Sequence, residues 1–359
     1  MRNRNAGCAA TPALPAFRRQ GAGYARCDDA EPHDRGWSMS PCFLTGASGF
    51  VGANLAPLLA QRHALRCLVR PGQHLPALEG IAHERVEGTL ADEAALVRGL
   101  RGAEIVVHLA AIVSFRPEDR AAMQRVNVDA TARIAALARD ARVRRMLHMS
   151  TISAVGCTDD PRELDELAPY NFGPLRIGYC DTKRAAEDAV RAEVARGLDA
   201  VIVNPPSMYG AGDRRKADGS LIEDLLQGRV PFAPPGGINV ANVLDVCRGC
   251  LQALDHGRRG ERYILGGENL TGRQLFARIA KVVGSSPPTR VPPTWLVRML
   301  AGALGAKEAL LGSRPPITAQ ILRLAPKWFW YSSRKASDEL GYEPGPVDPG
   351  IRAAAGIDA

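Results

Sequence analysis

Tyr179 and Lys183 stand four residues apart in Tyr179-Cys180-Asp181-Thr182-Lys183, so on a helix a phenol and an ammonium share one face. The ammonium favours the phenolate, which lets the phenol give or take a proton near neutral pH. A hydroxyl aimed at the same substrate oxygen would complete an acid–base set. His148-Met149-Ser150-Thr151-Ile152-Ser153 offers two candidates, Thr151 first and Ser150 second. Far upstream, Thr45-Gly46-Ala47-Ser48-Gly49-Phe50-Val51-Gly52 spaces glycines as GxxGxxG between an apolar run and a helical pattern. Gly46 permits a tight turn, Gly49 lets backbone approach a pyrophosphate, and Gly52 lets helix and strand pack closely. Ser48, Phe50 and Val51 belong to the same turn. The helix start adds N–H donors and a partial positive charge. Either string alone is common by chance. Together, in this order, they specify a hydride-transfer site that uses a dinucleotide.

Further residues refine that site. Leu68-Val69-Arg70-Pro71 ends the second apolar strand with a guanidinium, where a carboxylate would hold the ribose hydroxyls and select NAD. Arg70 can clamp a 2′-phosphate, so NADP(H) is favoured. NAD(H) stays compatible if Arg70 only covers the adenine face. Thr89 and Leu90 follow the third strand, where the adenine edge should lie, and Ala110 and Ala111 close the fourth with room for the cofactor. His108 reads as a histidine buried in that strand. Asn127 sits mid-helix, where Asn has no propensity advantage, and is expected to order a water chain to Lys183 or else to lie on the helix surface.

Alternating elements must position these groups. Strands are expected at Cys42–Leu44, Leu65–Val69, Glu84–Val86, Ile105–Leu109, Met146–Met149, Ala200–Val203 and Tyr263–Leu265. Helical patterns fall between them, for example at Glu93–Leu100, Met123–Arg139 and Thr182–Arg196. The alternation implies an α/β fold, a doubly wound parallel Rossmann sheet with a smaller C-terminal substrate lobe. Residues 39–205 with 238–267 form the nucleotide domain in this reading. Residues 206–237 with 268–345 form the lobe, and 346–359 a tail. Pro57 is expected to kink the first helix on its solvent side.

The chain has 359 residues and a formal charge of +8, a field that suits an anionic cofactor or substrate. No basic stripe with stacking aromatics marks a nucleic-acid footprint. No apolar run approaches the ~20 residues of a membrane span. Trp295–Leu304 comes nearest and reads as an amphipathic helix packed on the core or lobe, with a membrane-surface role as the alternative. The eight cysteines form no disulfide framework, and Cys247-Arg248-Gly249-Cys250 reads as core packing rather than a metal or redox pair. A reducing cytoplasm is the expected location. Residues 1–38 lack apolar periodicity and are expected to be a disordered extension ahead of a natural start at Met39.

These strings together resemble the extended short-chain dehydrogenase/reductase, or NAD-dependent epimerase/dehydratase, family from about Cys42 to Pro344. TGASGFVG, VHLAA, NVDAT, MSTISAVG, YCDTK and NPPSMYGAGD occur in that family's order. The resemblance implies catalytic roles for Thr151, Tyr179, Lys183 and Asn127, and nicotinamide-amide contacts from the stretch holding Pro206 and Ser207. The segment from Gly260 to Thr271, with Lys335 to Tyr342, is similar to dihydroflavonol-reductase-like proteins and hopanoid-associated sugar epimerases. Thr89 replaces the family's usual Asp near the adenine, and Asn242 and Leu244 replace a His and an Asp. The reading is an oxidoreductase that interconverts a secondary alcohol and a ketone on a small-molecule substrate. An epimerase with retained cofactor is the alternative, and a non-catalytic NADP sensor a third. A homodimer is compatible with the resemblance.

Overall fold

The computed structural model describes residues 39–213, 221–311, 315 and 317–357. The expectation of disorder over 1–38 lies outside the described residues. Within these limits the strands, in chain order, are β1 (Pro41–Thr45), β2 (Ala64–Val69), β3 (His83–Glu87), β4 (Ile105–His108), β5 (Arg145–Met149), β6 (Ala200–Asn204), β7 (Ser207–Tyr209), β8 (Gly237–Asn242), β9 (Arg262–Ile264), β10 (Glu268–Thr271) and β11 (Trp328–Phe329).

Seven of them form one parallel sheet in the order β3-β2-β1-β4-β5-β6-β9. The order reverses between β1 and β4, the switch point where ligands bind in such sheets. Apart from the edge strand β3, where Val86 alone is buried, the strands are buried on both sides, as parallel strands under crossover helices must be. Cys42 and Leu44, Ile105 and Val107, and Val201 and Val203 face one core. Phe43, Val106, Ala200 and Ile202 face the other. The two-residue side-chain period of a strand produces that division.

Helices α1 (Phe50–Ala60), α2 (Glu93–Leu100), α3 (Arg120–Met123), α4 (Ala130–Asp140) and α5 (Gly178–Ala195) supply the first crossovers. α1 continues through Pro57 as one element, with Pro57 half-buried rather than on an open solvent face. Between α3 and α4 the chain makes a π-helical turn over Gln124–Asp129, which the expected single helix Met123–Arg139 did not contain.

A second sheet holds β10, β8 and β11 in line, with β7 paired to β8. β8, where the sequence reading expected no strand although it assigned residues 238–267 to the nucleotide domain, belongs to this sheet. Around it stand α6 (Leu221–Leu226), α7 (Val243–His256), α8 (Gly272–Val283), α9 (Thr294–Leu311) and α10 (Ala319–Leu324). Cys247 and Cys250 are buried in α7 against the main core, as expected. α9 departs from expectation. It packs on α10, yet only Val297 and Ala301 of its described residues are buried, and Trp295 is 66% exposed.

The second sheet is stitched to the loop that follows β5. Thr158 pairs with Trp328 and Leu164 with Tyr331. The buried Tyr331 hydroxyl donates to the backbone carbonyls of Ile152 and Gly156.

Candidate active site

A cavity of about 650 Å³ opens at the carboxyl ends of β1, β2, β4 and β5. Its floor is the glycine turn. Gly46 has φ +84°, and a Cβ there would sit 2.8 Å from Ala110 N. A Cβ on Gly52 would sit 2.1 Å from the Gly46 carbonyl. Both positions therefore require glycine, which keeps the start of α1 tight under β1. Gly49 caps α1 with no side-chain bond, so the first-turn donors face the cavity bordered by Ser48, Gly49, Phe50 and Val51. That cradle fits a pyrophosphate.

Arg70, Thr89 and Leu90 line one end of the cavity, where the sequence reading expected the adenine, and Ala110 and Ala111 the middle. The Arg70 guanidinium donates twice to Gln73 Oε1, at 3.0 and 2.7 Å, which holds the fork at the rim. Pro206 and Ser207 line the far end.

Thr151, Tyr179 and Lys183 line the same cavity. Thr151 follows β5 in extended conformation, its hydroxyl accepting from Ser153 N at 3.3 Å. Ser150 is also on the wall, and its buried Oγ has no partner among the described residues. Tyr179 lies in the first turn of α5, with Phe115 against its ring at 5.7 Å in edge contact. Lys183 is 3% exposed and donates to the Met149 carbonyl at 2.7 Å. Burial pulls its ammonium down to about 8, against the opposing pull of Glu187.

Of the two readings of Asn127, the helix-surface one is excluded by the structure. The residue is buried, not on the helix surface, and it is not on the cavity wall. Its Oδ1 accepts from Ile112 N at 2.7 Å, while Nδ2 donates to Ile112 O at 2.9 Å and to Thr182 Oγ1 at 3.3 Å. The π turn swings the amide towards the loop after β4. These bonds hold Ile112, which lies on the cavity wall. His108 is buried as expected, bonded to Thr45 and Thr131 hydroxyls at 2.7 and 2.9 Å. Burial holds its imidazole at about 3, so it stays neutral.

Sequence reading missed Glu187. It lies one turn beyond Lys183, completing an i, i+4, i+8 stripe with Tyr179. Its Oε1 accepts from Asn204 Nδ2 at 2.6 Å, and the same amide group donates to the Thr151 carbonyl at 2.8 Å. Its Oε2 faces Arg191 at 3.1 Å and Arg262 at 3.5 Å. One carboxylate thus bears on the charge of Lys183 and on the backbone of Thr151.

A doubly wound sheet with a phosphate cradle at its switch point, joined to a phenol–ammonium pair, defines a nucleotide-dependent oxidoreductase scaffold. Residues 42–266 match the NAD dependent epimerase/dehydratase family, and the chain belongs to it. A protein of Synechocystis provisionally named as a dihydroflavonol 4-reductase is 32% identical over 85% of this chain and 90% of its own length. Sterol demethylase protein B of Methylococcus capsulatus is 36% identical over 72% of this chain and 79% of its own length. The crystal structure of gox2253 superposes with a TM-score of 0.79 at 31% identity, covering 89% of this chain and 97% of that one. The relatives are reductases, dehydrogenases and epimerases, and this chain is an NAD(P)-dependent enzyme of their kind.

Proposed function

We propose that the chain is an NADP(H)-preferring oxidoreductase that interconverts a secondary alcohol and a ketone. The observation that carries this reading is the convergence of Thr151, Tyr179 and Lys183 on one cavity with the glycine turn. The bound nicotinamide supplies or takes up the hydride. The chain's own groups do the rest. Tyr179 passes a proton between its hydroxyl and the substrate oxygen. Thr151 donates a hydrogen bond to that oxygen and fixes its position. Lys183 supplies positive charge beside the phenol and a donor for ribose hydroxyls. Gly46 to Gly52 hold the pyrophosphate, and Arg70 the 2′-phosphate.

Ile112, Val113 and Met208 on the wall, with Phe115 on the Tyr179 ring, support an apolar substrate body. The sterol in the name of the Methylococcus relative agrees with that chemistry. Residues 206–237 and 268–345 select the substrate in this reading. The enzyme works in the cytoplasm, a placement its free buried cysteines support. A homodimer remains part of the proposal, and sedimentation velocity tests it.

Tyr179→Phe tests the chemistry. NADPH is expected to bind as before, by fluorescence titration, while oxidation with a panel of apolar ketones falls by about 10²-fold or more. Undiminished turnover overturns the reading. Bound cofactor that is never consumed would shift it to the epimerase.

A further inference from the structure

The outward side of α9 is apolar where a surface helix should be polar. At 100° per residue, Trp295, Met299, Ala303, Ala306 and Leu310 fall within one arc, opposite the buried Val297 and Ala301. Trp295, Met299 and Leu310 are 66%, 57% and 82% exposed. Arg298 borders the arc on one side and Lys307 on the other, both exposed. The helix's one acid, Glu308, is turned inward and accepts from Ala319 N at 2.9 Å. The charge around it leans positive, although Asp159, from the loop after β5, pairs with Arg298 at 2.8 Å and with Lys327 at 2.9 Å. Among the described residues of 284–335, seven are basic and Glu308 alone is acidic, in a chain whose whole net charge is +8.

From this arrangement we propose that α9 docks the enzyme on an anionic lipid bilayer. The helix lies in the plane of the surface. Its apolar arc enters the acyl boundary, and Arg298 and Lys307 reach the phosphates on either side. Trp295, at the amino end of the arc, has the amphipathic ring that such boundaries favour. A second copy of the chain fits the face poorly. An antiparallel two-fold pairing about Gly302 would set Arg298 of each copy beside Lys307 of the other, and the acid that pairs with Arg298, Asp159, is already shared with Lys327.

The docking helix is linked to the cleft by packing through α10. α10, on which α9 rests, sends Leu324 into the apolar cluster of Phe172, Ile177 and Phe115 at the start of α5. Arg323 donates to the Leu175 carbonyl at 3.4 Å. The inference goes beyond the hydride-transfer reading and does not depend on it. Joined to that reading, it names a substrate class: an amphipathic lipid alcohol or ketone taken from the membrane.

The test uses the full chain and vesicles of phosphatidylcholine, with or without phosphatidylglycerol. Sedimentation with the anionic vesicles is expected, and little with the neutral ones. Met299→Asp with Leu310→Asp, and separately Arg298→Glu with Lys307→Glu, are each expected to weaken binding about tenfold or more. All these side chains are exposed, so NADPH binding is expected to stay unchanged and serves as the fold control.

The share of fluorescence from Trp295, isolated against a Trp295→Phe variant, is expected to be open to acrylamide in water and shielded on anionic vesicles. Equal sedimentation of the chain and its variants, or none, overturns the proposal. Shielding without lipid also overturns it. If that shielding rises with protein concentration, a second copy covers the face, and if it does not, residues 1–38 do. Vesicle binding without turnover of any alcohol or ketone would sink the hydride-transfer reading and leave the docking standing.

Discussion

Glu187→Gln removes one charge from the buried stripe behind Tyr179 while keeping its shape. With Oε1 kept towards Asn204 Nδ2, the 2.6 Å bond survives and Thr151 keeps its tether, while the new amide NH2 replaces the acceptor that Arg191 and Arg262 had in Oε2. For Lys183, what changes is the field. Side chains at i and i+4 lie about 6 Å apart, where opposite unit charges attract by about 3 kcal/mol at an effective dielectric near 20. That amounts to about two pKa units. Arg191 and Arg262, 3.1 and 3.5 Å from Oε2, already offset part of the carboxylate. About one unit is therefore expected to reach Lys183, moving its ammonium from about 8 towards about 7. The assay is the pH dependence of kcat/KM for the cofactor, which reports groups of the free enzyme. Its alkaline limb is expected to shift down by about one unit, with the rate at pH 6 little changed. An unmoved limb in a variant that folds and binds cofactor refutes the coupling.

Lys183→Met trades activity for stability. The folded chain holds this ammonium at about 8 against a free value of 10.5, so below pH 8 its buried charge costs about 3 kcal/mol. As pH rises from 8 to 10.5 the folded state releases its proton first and the cost fades. The variant is expected to be the more stable at pH 7 by up to that amount, by a smaller margin at pH 10, and inactive; equal margins at both pH values, in urea melts, would contradict the sign. Arg70→Asp is expected to weaken NADPH binding about tenfold or more while sparing NADH, by fluorescence titration, and an unchanged preference removes the 2′-phosphate assignment. Gly52→Ala drives a methyl into the Gly46 carbonyl and is expected to cost at least about 2 kcal/mol and to abolish tight cofactor binding. A normal melt with normal affinity would contradict the cradle.

The nucleotide half was legible because its signals are local. Continuous apolar runs, glycines and an i, i+4 pair each act within one turn or strand, and α2 ends where its pattern ends. The second sheet was not legible. β7 and β11 are three and two residues long, too short to carry a period, and β8 is claimed by pairings across the chain. The contacts of Asn127 were not legible because a π turn re-aims a side chain without altering composition. Glu187 was readable in principle, being one more step along the stripe of Tyr179 and Lys183. Its function depends on Asn204, which only the tertiary structure brings to it. α9 misled because apolar spacing names a face but not what covers it.

The stitch between Tyr331 and the carbonyls of Ile152 and Gly156 bears on how new specificities could be engineered or evolve. Thr151 stands directly before the segment that Tyr331 grips, so the C-terminal region is not a detachable cap. A chimera that imports a relative's selectivity region needs that relative's counterpart of residues 152–164 as well. Without it, the transplanted half would drag the Thr151 hydroxyl out of register and, on the proposed chemistry, lose rate before it gained a new preference.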